Sequence, residues 1–386
     1  MKLPLYIHIP FCFSKCSYCD FFSIACGKKS VPDDYVDALC REIEIKKKLR
    51  NITSFSTVYI GGGTPSLLSE VQLKKILSSV FEKSDESPCE ITIEANPDDL
   101  TLEKLKGFEK CGVTRLSCGI QSLSERPLAS VKRRSSLEKC LLALDLVRQN
   151  WKGVFSVDLI SALPDEREES FFETLEKICA YKPEHISLYS LTIEEETPLG
   201  KLIDEGKLVY NYEFADNLWL KGRDFLTAHG YKQYEVSNFC QKGYECRHNL
   251  CYWNQESYEG CGAGASSSFY ERDPFRFTNT KNLEEYKNFW LSFNEESDAD
   301  FPGEKEKLSS DVLKFEFFMM GLRKLSGVSE KKYREYFNEP FPESFLKLFN
   351  SWKQKSLASV CEINGEKFYA LNDKGILFLN TFLEEL

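Results

Sequence analysis

Residues 5–23 read "LYIHIPFCFSKCSYCDFFS". An apolar run from Leu5 to Ile9 passes through Pro10 into three cysteines, Cys12, Cys16 and Cys19. A short apolar run closed by proline reads as a buried strand feeding a loop. Thiolates are soft ligands that suit zinc or an iron–sulfur cluster. A structural zinc site wants a fourth protein ligand. His8 is close in sequence, but Pro10 interrupts the extended chain that would put residues 8 and 12 on one face. Zinc, and a disulfide with one spare thiol, remain the alternatives. On a four-iron cube, three ligands leave one iron without a protein ligand and free to bind a small molecule.

Outward from this loop, five more strand-like runs follow the first at 5–10: residues 57–60, 90–95, 115–121, 155–162 and 185–192. Most are separated by segments of helical spacing, such as "DDYVDALCREIEIKKKL" and "SLEKCLLALDLVRQN". Strand and helix in alternation argue for βα units around a parallel sheet. Six units are two short of a full eight-fold barrel. The expected fold is therefore α/β: a partial (β/α)6 barrel resembling an open TIM barrel, with an open doubly wound sheet as the second choice.

The expected organisation is a core barrel over residues 1–205 carrying the cysteine site, and an extension over 206–293. A charged linker follows over 294–310, then a helical C-terminal domain over 311–386. Ser310 is the expected cap of a helix whose apolar face is Phe315, Phe318, Met319, Leu322 and Leu325. Asn364-Gly365 between two strand-like runs is a hairpin signal. Helices followed by a hairpin suggest a winged-helix-like unit.

The chain has 386 residues, 42% hydrophobic and 13% aromatic, with a net charge of −10. The apolar content excludes a disordered chain. The acidic balance argues against nucleic-acid partners and suits packing or protein docking for the C-terminal unit. No charged-then-apolar leader is expected, and no run of the roughly 18 apolar residues that a membrane span needs. Fifteen cysteines scattered along such a chain read as free thiols in a reducing cytoplasm.

"YIGGGTPSLL" follows the second strand-like run. Its glycines, Gly61 to Gly63, let backbone approach a ligand; a tight strand-to-helix turn is the plainer explanation. Polar residues also recur near strand ends, where barrels carry their chemistry: Glu94, Gln121 and Asp158, with Arg133 in the following loop. A buried carboxylate is costly unless partnered, so these residues invite either a binding role or an inter-strand hydrogen bond.

C-x3-C-x2-C with an aromatic, Tyr18, before the last cysteine resembles the radical S-adenosylmethionine (SAM) superfamily. There the open iron is chelated by SAM, and an electron from the cluster cleaves SAM to a 5′-deoxyadenosyl radical. Further segments resemble one branch, the oxygen-independent coproporphyrinogen III oxidase-like proteins: "YIHIPFC", "GGGTPS", "GVTRLSCGIQS", "PEHISLYSLTIE", "YEVSNF", "HNLCYW" and "GLRKLSGV". The resemblance implies a [4Fe-4S] cluster on Cys12, Cys16 and Cys19, with Tyr6 against the SAM-bound cluster. It implies SAM contacts from Gly62, Gly63, Thr64, Glu94, Gln121, Arg133 and Asp158.

Three features separate the haem-chaperone (HemW) branch from the oxidases. Phe21 stands where an oxidase carries a further cysteine. Almost nothing precedes the first strand. "HNLCYW" at 248–253 matches the HNxxYW motif. The chaperone branch implies haem as cargo, a haem-accepting partner protein, and an electron donor such as a flavodoxin or ferredoxin. The alternative is oxidative decarboxylation of porphyrinogen propionates. His248 is the histidine nominated for haem iron, with bracing of a loop as its other reading; His8, His185 and His229 look structural. Cys240, Cys246, Cys251 and Cys261 crowd the same region, with ordinary burial favoured for them. Two segments depart from the family pattern: "VKRRS" at 131–135 loses a glycine and a histidine, and "ALPDER" at 162–167 replaces a glycine-containing turn.

Overall fold

The computed structural model describes residues 1–27, 30–82, 86–294, 300–363 and 365–386. All six expected strands form: β1 (Lys2–Ile9), β2 (Ser54–Gly62), β3 (Glu90–Ala95), β4 (Arg115–Gln121), β5 (Val154–Ser161) and β6 (His185–Ser190). They lie side by side in chain order and all parallel. Their near-continuous apolar character follows from burial on both faces, as parallel strands require. Helices α1 (Asp33–Leu49), α2 (Glu70–Phe81), α3 (Leu102–Lys110), α4 (Leu137–Asn150) and α5 (Glu168–Tyr181) make the crossovers. Local chemistry fixes where they start. Ser69 accepts from the Gln72 backbone while the Gln72 side chain accepts from the Ser69 N–H, a capping box that opens α2.

Past β6, the 206–293 segment returns to the sheet at both edges. After α6 (Tyr212–Ala228), β7 (Lys232–Gln233) and β8 (Asn238–Cys240) extend one edge, β8 running antiparallel to β6. After α7 (Arg247–Trp253), β9 (Glu259–Cys261) pairs parallel with β1 at the other edge, Tyr6 opposite Gly260. The sheet thus has nine strands among the described residues, in an open linear order with both edges built by residues beyond 205. The boundary at 205 is corrected accordingly: β1 needs a partner on its free side, and β9 is it.

The expected linker is also corrected. Residues 295–299 lie outside the described residues, but β12 (Gly303–Lys307) pairs antiparallel with β11 (Phe275–Asn279), which pairs with β10 (Ser266–Phe269). Every residue of β12 is exposed, so backbone pairing rather than apolar burial holds it. Between β11 and β12, α8 (Leu283–Ser292) packs on α1 and links Lys287 to Asp34 at 2.8 Å.

The C-terminal unit runs helix, strand, two helices and hairpin: α9 (Ser310–Gly321), β13 (Val328–Ser329), α10 (Glu330–Phe337), α11 (Glu343–Gln354), β14 (Ala358–Ile363) and β15 (Glu366–Leu371). That is the winged-helix-like order. Ser309, not Ser310, caps α9 by accepting from Val312 N at 3.3 Å. The buried face is also rotated from expectation: Leu313, Phe317, Phe318 and Leu322 are buried, while Phe315 is 42% exposed. An aromatic core fixes the rotation, with Phe318 stacked on Phe345 at 4.1 Å and Tyr333 packed on Phe317. In the hairpin, Asn364 lies outside the described residues, and Gly365 takes φ +78°. Among the described residues no helix is long and apolar enough to cross a membrane.

Candidate functional site

The C-terminal ends of β1 to β6 surround a cavity of about 440 Å³. Cys12, Cys16, Tyr18 and Cys19 line its mouth on the loop after β1. The loop is pinned on both sides: Ser17 N donates to Val131 O at 3.0 Å, and Leu199 N donates to Ser17 O at 2.9 Å. Tyr18 packs into an apolar cluster with Val131, Ile160, Leu163 and Leu191, and burial holds its phenol well above its usual value. Burial likewise raises the Cys12 and Cys19 thiols. Two donors already face sulfur. Thr64 Oγ1 donates to Cys12 Sγ at 3.4 Å, and Arg133 Nη1 to Cys16 Sγ at 3.5 Å.

The glycine segment closes one wall. A side chain on Gly63 would meet Phe11 O at 2.7 Å, and one on Gly62 would meet the His8 ring at 2.6 Å. Gly62 also has φ +112°, which favours glycine. Its N–H donates to Glu94 Oε2 at 3.2 Å, and Tyr59 OH donates to Glu94 Oε1 at 2.8 Å. Neither contact supplies a cation, so burial pushes the Glu94 carboxyl up to about 7. Asp158 is raised for the same reason and accepts from Ser117 Oγ at 2.9 Å.

Gln121 sits at a β-bulge in β4 and takes φ +67°, a strained conformation for a residue with a side chain. A Cβ on Gly119 would strike Gln121 Nε2 at 2.8 Å and Arg133 Nη2 at 3.0 Å. Arg133 Nη2 donates to Gly119 O at 2.5 Å, while its buried Nε has no partner. Gly62, Gly63, Thr64, Glu94, Gln121, Arg133 and Asp158 therefore all line the one cavity with the three cysteines.

Tyr6 and His248 do not line it. The Tyr6 hydroxyl meets His8 Nδ1 at 2.8 Å, and His8 Nε2 meets Phe22 O at 2.9 Å. Since Phe22 O only accepts, His8 carries its proton on Nε2 and accepts from Tyr6. Tyr6 thus braces the cysteine loop from beneath. His248 is 1% exposed, with Nδ1 at Thr57 Oγ1 and Nε2 at Tyr252 OH, both 2.8 Å. Its ring stacks on Tyr59 at 5.2 Å, and burial pushes its basicity down to about 3. Both ring nitrogens are hydrogen-bonded, an arrangement that suits the loop-bracing reading of His248. Glu90 accepts from Arg247 N at 3.3 Å and His248 N at 3.1 Å, seating α7 as a plug at the floor of the barrel.

Cys240, Cys246, Cys251 and Cys261 are buried, and burial raises each thiol; only Cys246 reaches the cavity. At the two family departures, Lys132, in place of the glycine, takes φ +54°, and Ser135, in place of the histidine, donates to Asn96 Oδ1 at 2.8 Å. Glu166 of "ALPDER" folds back to accept from Ala162 N at 2.6 Å, away from the cavity.

The sequence reading missed the lower half of the cavity: Thr92, Arg115, Ser117, Ser156, His185 and Ser187. A signal was present. These polar residues fall two apart in strands that are otherwise apolar, as with Thr92 and Glu94 or Ser156 and Asp158, and so share one face.

A parallel sheet with three loop thiols, a glycine wall and carboxylates at its strand ends is the arrangement of a radical SAM protein, and the radical SAM superfamily profile matches residues 6–178. The chain is 32% identical to heme chaperone HemW of Bacillus subtilis, covering 99% of this chain and 99% of that protein. It is 32% identical to heme chaperone HemW of Escherichia coli, covering 100% and 98%. The chain belongs to the HemW family. In fold it resembles the coproporphyrinogen III oxidase HemN of Escherichia coli, described as a radical SAM enzyme. The TM-score is 0.82 at 21% identity, covering 100% of this chain and 90% of that one.

Proposed function

We propose that the protein is a radical-SAM-type haem chaperone of the cytoplasm. It binds a [4Fe-4S] cluster on Cys12, Cys16 and Cys19, SAM in the cavity behind them, and haem, which it passes to an acceptor protein. The observation that carries the cofactor reading is the three thiols at the mouth of a cavity whose wall holds two carboxylates without a cation and an arginine with an unused donor. Among the described residues no three metal-binding side chains converge on a single ion. Thiols spread around one mouth suit a cube, whose ligands sit on separate irons, better than a lone zinc.

In this reading Thr64 and Arg133 donate to the ligating sulfurs, which favours the thiolate form. Arg133 turns its unused Nε–H to the methionyl carboxylate, and backbone at Gly62 and Gly63 takes the amino group. Glu94 and Asp158 accept from ribose hydroxyls. Gln121 holds the adjacent wall, and Tyr18 seals the cluster loop against water. The cluster, when bound, supplies an electron to SAM; a flavodoxin or ferredoxin is the class of donor.

Phe21 favours the chaperone over the oxidase. It is 70% exposed at the cavity mouth, in the position where an oxidase has a cysteine. Anaerobically reconstituted protein tests the choice. A haem Soret band without conversion of coproporphyrinogen III is expected. Turnover of coproporphyrinogen III with SAM and a reductant overturns the chaperone reading. Separately, Cys16→Ala should lose iron and the absorption shoulder at roughly 400 nm where iron–sulfur charge transfer falls; full iron content in that variant overturns the ligand set.

A further inference from the structure

The three thiols at the mouth draw their donors from different places. Cys12 Sγ faces Thr64 Oγ1 at 3.4 Å and Cys16 Sγ faces Arg133 Nη1 at 3.5 Å, from the loops after β2 and β4. Cys19 takes its donor from its own loop, where the Phe21 N–H turns to its sulfur. What holds Phe21 in place therefore bears on the third thiol.

Lys15 holds it. The Lys15 side chain spans the loop, and its Nζ donates to Phe21 O at 3.0 Å. Ser23 Oγ donates to the same carbonyl at 3.2 Å. Cys19 N donates to Cys16 O at 3.3 Å, which closes the turn between those two thiols. Two donors on one carbonyl fix the Phe21 backbone, although its ring is largely exposed.

Lys15 also brings charge. It lines the mouth with Cys16 and Cys19 and forms no ion pair among the described residues. Its partner is a neutral carbonyl, so the ammonium stays uncompensated beside the sulfurs. Arg134, at the same mouth, is instead paired with Asp98 and Asp99. Burial raises the Cys19 thiol, and the Phe21 N–H and the Lys15 ammonium act against that rise. Asp20 is exposed at the same mouth and is not paired with Lys15.

We infer that Lys15 sets the reduction potential of the cluster, by holding the Phe21 N–H on Cys19 and placing an unpaired cation beside the thiolates. The inference rests on the [4Fe-4S] reading and adds to it a residue that is not a ligand. Reduction adds one negative charge to a cluster, and cluster potentials follow net charge, hydrogen bonds to sulfur and exposure. A cation close by stabilises the reduced form more than the oxidised one, so it raises the potential and eases reduction by a flavodoxin-class donor. Lys15 is a positioning residue, because it acts through Phe21 and Cys19. Its head group is exposed, so its field is open to screening by salt.

A redox titration of the anaerobically reconstituted full-length protein, followed by electron paramagnetic resonance without SAM, tests this. Lys15 is exposed, so its variants should fold and take up iron as wild type does. Lys15→Gln keeps a donor and loses the charge. At the wild-type midpoint, its ratio of reduced to oxidised cluster should fall at least about threefold, a downward shift of roughly 28 mV at 59 mV per tenfold. Lys15→Arg should keep the wild-type midpoint, and raising salt from about 0.1 M to about 1 M should shrink the Lys15→Gln shift. An unchanged or raised midpoint in Lys15→Gln with full iron content overturns the inference and leaves the cluster reading standing. An equal downward shift in Lys15→Arg overturns it too, as does loss of iron in Lys15→Gln. Failure of the wild-type protein to take up iron overturns the cluster reading itself.

Discussion

Two regions of this molecule bury ionisable groups, and they treat them in opposite ways. Behind β9, Lys46 lies 2.6 Å from Glu42 and 3.3 Å from Glu259, and Arg50 pairs with Glu259. Glu42 also accepts from Gly262 N and Asn279 Nδ2, both 2.7 Å, and from Tyr286; Glu259 accepts from Ser267. Every oxygen of the two carboxylates has a partner, and a cation stands between them. In the cavity, Glu94 and Asp158 have hydrogen-bond donors but no cation in contact, and Arg133 Nε, Arg115 Nη2 and Thr92 Oγ1 have no partner. In the first region every carboxylate oxygen is met by protein and balanced by a cation. In the second, carboxylates without a cation and buried polar atoms without a partner gather around an open cavity, as in a site that waits for a ligand.

The contrast can be broken experimentally. Lys46→Met strips fully buried Glu42 of its cation, leaves Glu259 with Arg50 alone, and should cost about 3–5 kcal/mol. Chemical denaturation would show this, while SAM affinity of the folded fraction stays unchanged. His248→Ala orphans the Thr57 and Tyr252 hydroxyls and should cost roughly 1–3 kcal/mol. In the same denaturation assay it should leave the haem spectrum as it was; a lost Soret band would return His248 to the role of ligand. Arg133→Lys keeps the charge but loses the planar fork. SAM binding, read by equilibrium dialysis, should weaken by roughly tenfold, with stability changing by less than that 1.4 kcal/mol.

The smallest effect is a pH slope. Folded Glu94 titrates at about 7 against an ordinary 4.5. The folded state therefore holds a proton that the unfolded chain has released. The stability this gives is fully present below pH 4.5 and is lost as pH rises through about 7. Glu94→Gln should flatten that part of the fall in denaturation midpoints; an unchanged slope would mean the carboxyl is ionised throughout.

The barrel was legible because parallel strands buried on both faces read as apolar runs, and the cysteines because their spacing is rare. Two strands were not. β9 is three residues with a central glycine, and it becomes a strand only because β1 offers it an edge. β12 reads "GEKEK" and buries no side chain, so no periodicity announces it. For His248 the motif could be seen but its role could not: whether an imidazole is free depends on Thr57 and Tyr252, distant partners that only the fold brings in.

The pairing of β1 with β9 has a consequence for synthesis. The strand that delivers the cluster loop is made first, yet its outer neighbour is made some 250 residues later. At about 5–20 residues per second, β1 spends roughly ten seconds or more on the ribosome with a bare hydrogen-bonding edge. The loop with three thiols follows that edge directly. Until residues 259–261 emerge and dock, one flank of the barrel beside the thiol loop stays open.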